Sequence, residues 1–230
     1  MKTKIFIGCM VLLWSFGAAA QECSGYFALQ KGLKMELVSY DKKDKPAATL
    51  KYEVVDYKPV NGGIALSFSN QTYDGKGKLL AKGDVSGKCV NGEFYSDVRN
   101  IGSEMLPKSA DIEVNVTGDQ LIYPNDLKVG QKLKDAVVTV KSGMKGGMTL
   151  LNMTVTITDR TVQGFETVET PAGKFECAKI TFNTLAKLMG KHSTKTTEYM
   201  AKGIGVVKSE QYDEKGKKIS SLVLTKLEKP

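Results

Sequence analysis

The stretch Tyr212-Asp213-Glu214-Lys215-Gly216-Lys217 decides the fold, because two variants of it occur earlier in the chain. These variants are Tyr40-Asp41-Lys42-Lys43-Asp44-Lys45 and Tyr73-Asp74-Gly75-Lys76-Gly77-Lys78. An aspartate begins a tight turn by accepting hydrogen bonds from backbone amides just ahead of it, and glycine supplies the positive φ that the turn requires. Each copy lies between two runs of strand-forming residues. The repeated motif therefore predicts β-hairpin tips.

The rest of the chain continues this pattern of strands and turns. Runs rich in Val, Ile, Thr, Tyr and Phe are separated by turn signals such as Asn91-Gly92 and Gln163-Gly164. Helix is confined to two short candidates, at 102–109 and 184–189, and neither has a convincing cap. We therefore predict a mainly β protein, an antiparallel curved sheet or half-barrel built from successive hairpins with little helix.

The beginning of the chain has the pattern of a secretory signal peptide. Lys2 and Lys4 precede an apolar run over residues 5–16, and small residues follow at 17–20. The run has about 12 residues, whereas a membrane-spanning helix needs roughly 18 or more. We expect residues 1–20 to be removed, which leaves an exported β-rich domain at 21–230 without a transmembrane segment.

A subdivision of the exported part is also considered, because the strand pattern breaks around 100–107. It would give two β units, at 21–100 and 108–230. No stretch between them is long or polar enough to act as a linker, so one continuous sheet is preferred.

Three cysteines remain after removal of the signal peptide, so one intramolecular disulfide leaves one free thiol. We favour Cys23–Cys89, because this bridge would tie the new N-terminus to a strand end. Cys177 lies in a strand-like run and is expected to pack as a small buried hydrophobic residue. Cys23 follows Glu22, which does not fit a lipoprotein cleavage site.

The composition argues against catalysis. His192 is the only histidine, and the lysines and glycine around it indicate an exposed loop. Cys177 as a nucleophile would need this same histidine as its base. We expect no catalytic residue and no cofactor.

Metal and nucleic-acid binding are also disfavoured. A lysine lies within two or three residues of each motif aspartate and would repel a calcium ion. Removal of Lys2 and Lys4 lowers the formal net charge from +8 to +6. The cationic residues are nearly all lysines spread over the chain, whereas phosphates and bases are more often recognised by arginine. A weak, salt-sensitive attraction to anionic envelope surfaces is expected.

Methionines surround a glycine pair in Met144-Lys145-Gly146-Gly147-Met148. A thioether site for copper(I) is one interpretation, but methionine more often fills apolar gaps or lines adaptable surfaces. Our hypothesis is that Met144 and Met148 form a flexible gate over an apolar cleft.

The C-terminal half carries a family resemblance. It lies in the stretches 168–180 and 199–208 and in the last hairpin motif. Together with the segment 123–131 and the early Cys23 and Cys89, these stretches resemble the TapB family of exported bacterial proteins. The resemblance implies an uncharacterised, β-rich extracytoplasmic domain of Gram-negative envelopes, either periplasmic or outer-membrane-associated or extracellular. It implies no catalytic residues and supports the Cys23–Cys89 pairing.

The expected function is therefore a non-catalytic binding or accessory module of the cell envelope. The preferred partner is a protein or an envelope component, held by a sheet face or an exposed edge. The alternative is a carrier that holds a lipid or another apolar small molecule on the concave side of a half-barrel. The oligomeric state is not predicted.

Overall fold

The computed structural model describes residues 23–96, 112–145, 147–188 and 190–230. The expected signal peptide at 1–20 and the helix candidate at 102–109 lie outside these residues. The described residues form strands, turns and bends without helix, so no described helix could cross a membrane. This agrees with the predicted fold class.

The strands of the described residues belong to one 13-stranded antiparallel sheet. In chain order they are β1 Lys34–Asp41, β2 Pro46–Val60, β3 Gly63–Asp74, β4 Leu79–Val90, β5 Glu93–Ser96, β6 Ile112–Gly118, β7 Leu121–Pro124, β8 Ala136–Met144, β9 Thr149–Thr170, β10 Gly173–Lys187, β11 Lys191–Ala201, β12 Gly205–Tyr212 and β13 Lys218–Glu228. Their order across the sheet is β6-β8-β9-β10-β11-β12-β13-β1-β2-β3-β4-β5-β7. The sheet is open and runs through both halves of the chain.

The repeated motif forms the tips of the hairpins β1–β2, β3–β4 and β12–β13, as predicted. In the first copy, Asp41 Oδ1 accepts hydrogen bonds from the backbone amides of Lys43 at 2.8 Å and Lys45 at 3.0 Å. Asp74 and Asp213 accept the equivalent amides, two and four residues ahead, at 2.9 Å each. The aspartates therefore satisfy backbone donors that the turn would otherwise leave unpaired.

One position of each tip has a positive φ, and glycine occupies it in two copies. Gly77 and Gly216 have φ values of 83° and 76°, and Asp44 has 55° at the corresponding place. Aspartate tolerates this left-handed conformation better than most residues, which explains why the first copy forms the same turn without glycine.

Two local predictions are wrong. Gln163-Gly164 is not a turn but lies inside β9, where Gly164 pairs with Lys179 and Val162 pairs with Ile180. Gln163 is the extra residue of a β-bulge, which bends the long strand without ending it. The helix candidate at 184–189 instead continues β10 up to Lys187.

The two edge strands of the sheet follow each other in the chain. β6 pairs with β8 at one edge and β7 pairs with β5 at the other, and only Asp119 and Gln120 separate them. Such a short connection spans no more than about 11 Å. The sheet therefore curls until its edges approach each other, without closing.

Two non-strand segments cover one face of the sheet, which we call the inner face. The N-terminal segment, residues 23–33, buries Tyr26, Ala28 and Leu33, and the crossing segment, residues 125–135, buries Leu127 and Leu133. The two segments pack against buried strand residues of both halves; these are Val54, Leu66, Phe94, Val162, Ala178, Ile180 and Met200.

Cys23 and Cys89 form a disulfide, the pairing that the sequence favours. Cys89 is buried near the end of β4, and Cys23 begins the N-terminal segment. The bridge therefore fixes the start of this segment against the inner face.

Candidate functional site

An apolar cleft lies on the inner face, beside the N-terminal segment. It has a volume of about 220 Å³. Strands on both sides of the β13–β1 pairing contribute to it, together with the N-terminal segment and the turn before β12. The lining residues are Phe27, Ala28, Met35, Leu37, Tyr52, Phe68, Val85, Ser86, Phe94, Ser96, Ile204, Gly205, Val206 and Leu222.

Strand alternation explains how these side chains meet. Met35 is paired with Tyr52 between β1 and β2, and Phe68 is paired with Val85 between β3 and β4. Directly paired residues in an antiparallel sheet project from the same face, as do residues two apart on one strand. Leu37 therefore lies on the same face as Met35.

Aromatic rings close the cleft on the side of the N-terminal segment. The rings of Phe27 and Phe94 stack with centroids 3.5 Å apart, and Phe27 meets Tyr123 edge-on at 5.1 Å. Phe94 is almost fully buried. The disulfide and these ring contacts hold Phe27 in place, so this wall of the cleft is preformed.

A polar group lies beside the cleft without a partner. Asn70 Oδ1 is buried and has no hydrogen-bond partner among the described residues. Asn70 is paired with Tyr52, and Phe68 is two residues away on the same strand. A buried acceptor of this kind costs free energy unless a donor reaches it.

A buried charged cluster lies on the other side of the aromatic rings. Arg160 is 1% exposed, and its guanidinium lies 4.5 Å from the centre of the Tyr123 ring. Its Nη1 donates hydrogen bonds to the carbonyl of Ile122 at 3.2 Å and of Lys134 at 2.7 Å. Arg160 Nη2 has no hydrogen-bond partner among the described residues. The cluster therefore links β9 to β7 and to the end of the crossing segment.

Glu198 completes this cluster. The Tyr123 hydroxyl donates to Glu198 Oε2 at 3.4 Å. Burial raises the pKa of Glu198, and the nearby Arg160 charge and the Tyr123 hydroxyl offset only part of this rise. Burial also raises the pKa of the Tyr123 hydroxyl well above its usual value, and the Glu198 charge adds to it. Arg160 and Tyr123 are almost fully buried, and Glu198 is partly buried beside them.

The residues considered for catalysis do not come together. Cys177 is buried, and burial raises the pKa of its thiol to about 11, with smaller contributions from the carboxylates of Glu176 and Glu166. His192 is exposed and lies on β11 rather than in a loop. Cys177 pairs with Ala201, so His192 is roughly 30 Å away along β11 at about 3.3 Å per residue.

Met144 and Met148 lie at the tip of the β8–β9 hairpin and are 44% and 58% exposed. Neither lines the apolar cleft. The gate hypothesis remains a prediction. In the described part of the chain, no group of three or more histidine, cysteine, aspartate or glutamate side chains is arranged to hold a metal ion.

The comparisons with known proteins assign the family. The family model described as DUF3108-like matches residues 30–224, which is most of the chain. The chain belongs to the DUF3108-like family. No curated protein matches its sequence significantly. The finer resemblance to the TapB family remains a prediction.

Two crystal structures share this DUF3108-like fold. One is of a protein from Bacteroides fragilis NCTC 9343, provisionally named as exported and with a YmcC-like fold, at 25% identity and a TM-score of 0.75. The other is of a provisionally named lipoprotein from Parabacteroides distasonis ATCC 8503, at 24% identity and a TM-score of 0.76. Each match covers 90% of this chain and 100% of the other.

Sequence reasoning missed the Arg160, Tyr123 and Glu198 cluster. A signal was present, because Arg160 interrupts a long run of strand-forming residues in which a charge would need a partner. The partners themselves come from β7 and β11, and their proximity depends on the curl of the sheet.

Proposed function

We propose that this DUF3108-like protein is a non-catalytic, exported binding protein that holds an apolar small molecule or a single acyl chain on the inner face of its sheet. The observation that carries the proposal is the apolar cleft beside Phe27. Both chain halves and the N-terminal segment contribute side chains to it. A space of this kind on a curled β-sheet suits an apolar ligand.

The size of the cleft limits the ligand. Small-molecule sites usually measure roughly 300–1,000 Å³, and this cleft has about 220 Å³. A single apolar chain or one ring system fits this space better than a lipid with several chains.

Two observations support a non-catalytic role. The cleft lining contains no acidic, basic, histidine or cysteine side chain. The free cysteine is protonated at neutral pH, since burial raises the pKa of its thiol. A binding role needs only the shape and apolar character of the cleft.

The proposed location is the periplasm, the outer membrane or the cell exterior of a Gram-negative bacterium. The signal-peptide pattern at residues 1–20 supports export. The name of the similar Bacteroides protein points the same way. A disulfide between Cys23 and Cys89 suits an oxidising compartment.

A fluorescence titration with N-phenyl-1-naphthylamine tests the cleft. The purified protein should bind this apolar probe saturably, and Val85→Trp should weaken binding at least about tenfold by filling the cleft. Val137→Trp is the matched control, because Val137 is 41% exposed and does not line the cleft. Equal binding by both variants would refute the cleft as the site.

The second candidate is a protein partner that adds a strand to the sheet. It is favoured by the sheet edges at β6 and β7, each of which pairs with only one described strand, since a free strand edge can accept a further strand. Mass spectrometry of an organic extract separates the two functions. A stoichiometric apolar molecule supports the cleft ligand, whereas a clean extract together with a reproducible envelope partner supports strand addition.

A further inference from the structure

The sheet topology brings five hairpin tips to the same end of the molecule. Adjacent strands run in opposite directions, so every second hairpin across the sheet turns at the same end. The hairpins that turn at this end are β8–β9, β10–β11, β12–β13, β1–β2 and β3–β4. Direct contact supports this arrangement, because Lys218 Nζ lies 2.7 Å from Asp44 Oδ1 on the neighbouring tip. We call this end the hairpin rim.

The hairpin rim is rich in lysine. Its tip lysines are exposed, and none forms an ion pair with another described residue; they are Lys42, Lys43, Lys45, Lys76, Lys78, Lys145, Lys187, Lys191, Lys215 and Lys217. The motif aspartates nearby accept backbone amides of their own turns, and Asp44 pairs with Lys218. Glu113 and Glu214 are exposed carboxylates at this end. Among the described residues of this end lysine nevertheless outnumbers acid, so their combined charge is positive.

The opposite end of the sheet differs. Lys58, Lys174 and Lys202 lie near its turns, and each is within 3.4 Å of a carboxylate. These three lysines therefore have their charges paired locally. The rim tip lysines differ from them in having no carboxylate partner among the described residues.

Large aliphatic side chains are exposed between the rim lysines. Leu80 is 59% exposed, Met148 is 58% exposed and Leu188 is 49% exposed. They lie on the β3–β4, β8–β9 and β10–β11 hairpins, and Leu79, Met144 and Leu150 are exposed beside them. Lysine alone would be explained by protection of hairpin tips from aggregation. Exposed leucine and methionine at the same tips work against such protection.

We propose that the hairpin rim docks on an anionic lipid surface. Lysines near such a surface are attracted to its charged head groups. Transfer of exposed aliphatic side chains from water to the boundary between head groups and acyl chains is favourable because it buries apolar surface. Attachment through several tips at once orients the sheet with its strands roughly upright on the membrane. This explains why Met144 and Met148 are exposed although they do not line the apolar cleft.

The docked orientation also places the apolar cleft relative to the lipid. Leu37 and Leu222 lie four residues from the rim ends of β1 and β13, and Tyr52 and Val85 lie six residues from the rim ends of β2 and β4. At about 3.3 Å per residue these positions are roughly 13–20 Å from the rim. The docking proposal does not depend on the cleft, because it rests on the rim side chains alone.

Vesicle co-sedimentation of the full mature chain tests the docking. The protein should sediment with phosphatidylcholine vesicles that contain roughly 30% phosphatidylglycerol but not with phosphatidylcholine alone, and added salt should weaken binding. Lys43→Glu/Lys76→Glu/Lys215→Glu, with one reversal on each of three tips, should reduce binding at least about tenfold.

The control carries the same change of net charge elsewhere. Lys34→Glu/Lys128→Glu/Lys229→Glu reverses three exposed lysines away from the rim and should retain most of the binding. A third variant, Leu80→Ser/Met148→Ser/Leu188→Ser, should lose the binding that persists in salt. Equal loss in both charge-reversal variants, or no binding of the unaltered chain to anionic vesicles, would overturn the proposal. Because Val85→Trp leaves the rim intact, it should not change vesicle binding, so failure of the cleft and failure of the docking are distinguishable.

Discussion

Replacement of Arg160 by methionine is the most informative test of how the interior is held together. Arg160 is 1% exposed, and its Nη1 supplies hydrogen bonds to the carbonyls of Ile122 and Lys134. Arg160→Met removes these donors and also the positive charge near Glu198. Loss of one partner from a buried charged group usually costs about 3–5 kcal/mol. We expect the free energy of unfolding to fall by this amount.

The pH dependence makes the prediction more specific. Burial raises the pKa of Glu198 in the folded protein, so the folded state binds an extra proton between about pH 4.3, the usual value for the unfolded chain, and this raised value. The unfolding free energy therefore decreases as pH rises through that interval. Above the interval, the folded protein carries the full cost of an ionised Glu198. Without Arg160 the pKa of Glu198 rises further. The destabilisation by Arg160→Met should be larger at pH 7 than near pH 4.3.

Urea unfolding followed by circular dichroism at both pH values measures these differences. Arg160→Met/Glu198→Gln removes both charges and should recover part of the lost stability at pH 7. Lys179→Met is the control, since Lys179 on β10 makes an exposed pair with Glu166 at 3.3 Å, and such pairs contribute about 0–1 kcal/mol. A loss of unfolding free energy below about 1 kcal/mol for Arg160→Met, or a loss independent of pH, would show that Arg160 does not stabilise the charge of Glu198.

Two further predictions concern the cysteines. Cys23→Ser/Cys89→Ser should lower the unfolding free energy by about 4 kcal/mol, because the bridge closes a loop with a sequence separation of 66 residues; chemical denaturation under oxidising conditions measures it, and a loss below about 1 kcal/mol would contradict this estimate. Cys177 should react with a thiol-specific disulfide reagent at pH 7 only as fast as the protein opens, since its thiol is buried and burial raises its pKa to about 11. Rapid labelling of the folded protein, with the denatured protein as reference, would contradict the burial of Cys177.

The hairpin tips that the sequence predicted correctly depend on local interactions. The tips at Asp41, Asp74 and Asp213 could be recognised because an aspartate, its backbone donors and the positive-φ position lie within a few residues. The long bent strand β9 was missed for the opposite reason. Gln163-Gly164 resembles a turn locally, and only the pairing with β10 shows that it is a bulge.

Features that depend on the sheet as a whole could not be predicted. Nothing near Ile112 or Leu121 indicates that β6 and β7 pair with strands at opposite edges. The apolar cleft requires Phe27 to meet Phe94, which follows only after the sheet curls and the disulfide fixes the N-terminal segment. The alternative function predicted a concave side that holds an apolar molecule, but not which residues line it.

The pairing of β1 with β13 has a consequence for the order of assembly. Lys34 is opposite Glu228, so one edge of β1 cannot acquire its partner until β13, residues 218–228, has been synthesised. Until then, the hairpins of the first half leave that edge open to any other unpaired strand. The sheet therefore acquires its native arrangement only after β13 is available to pair, and until then the chain is open to misassembly at this edge.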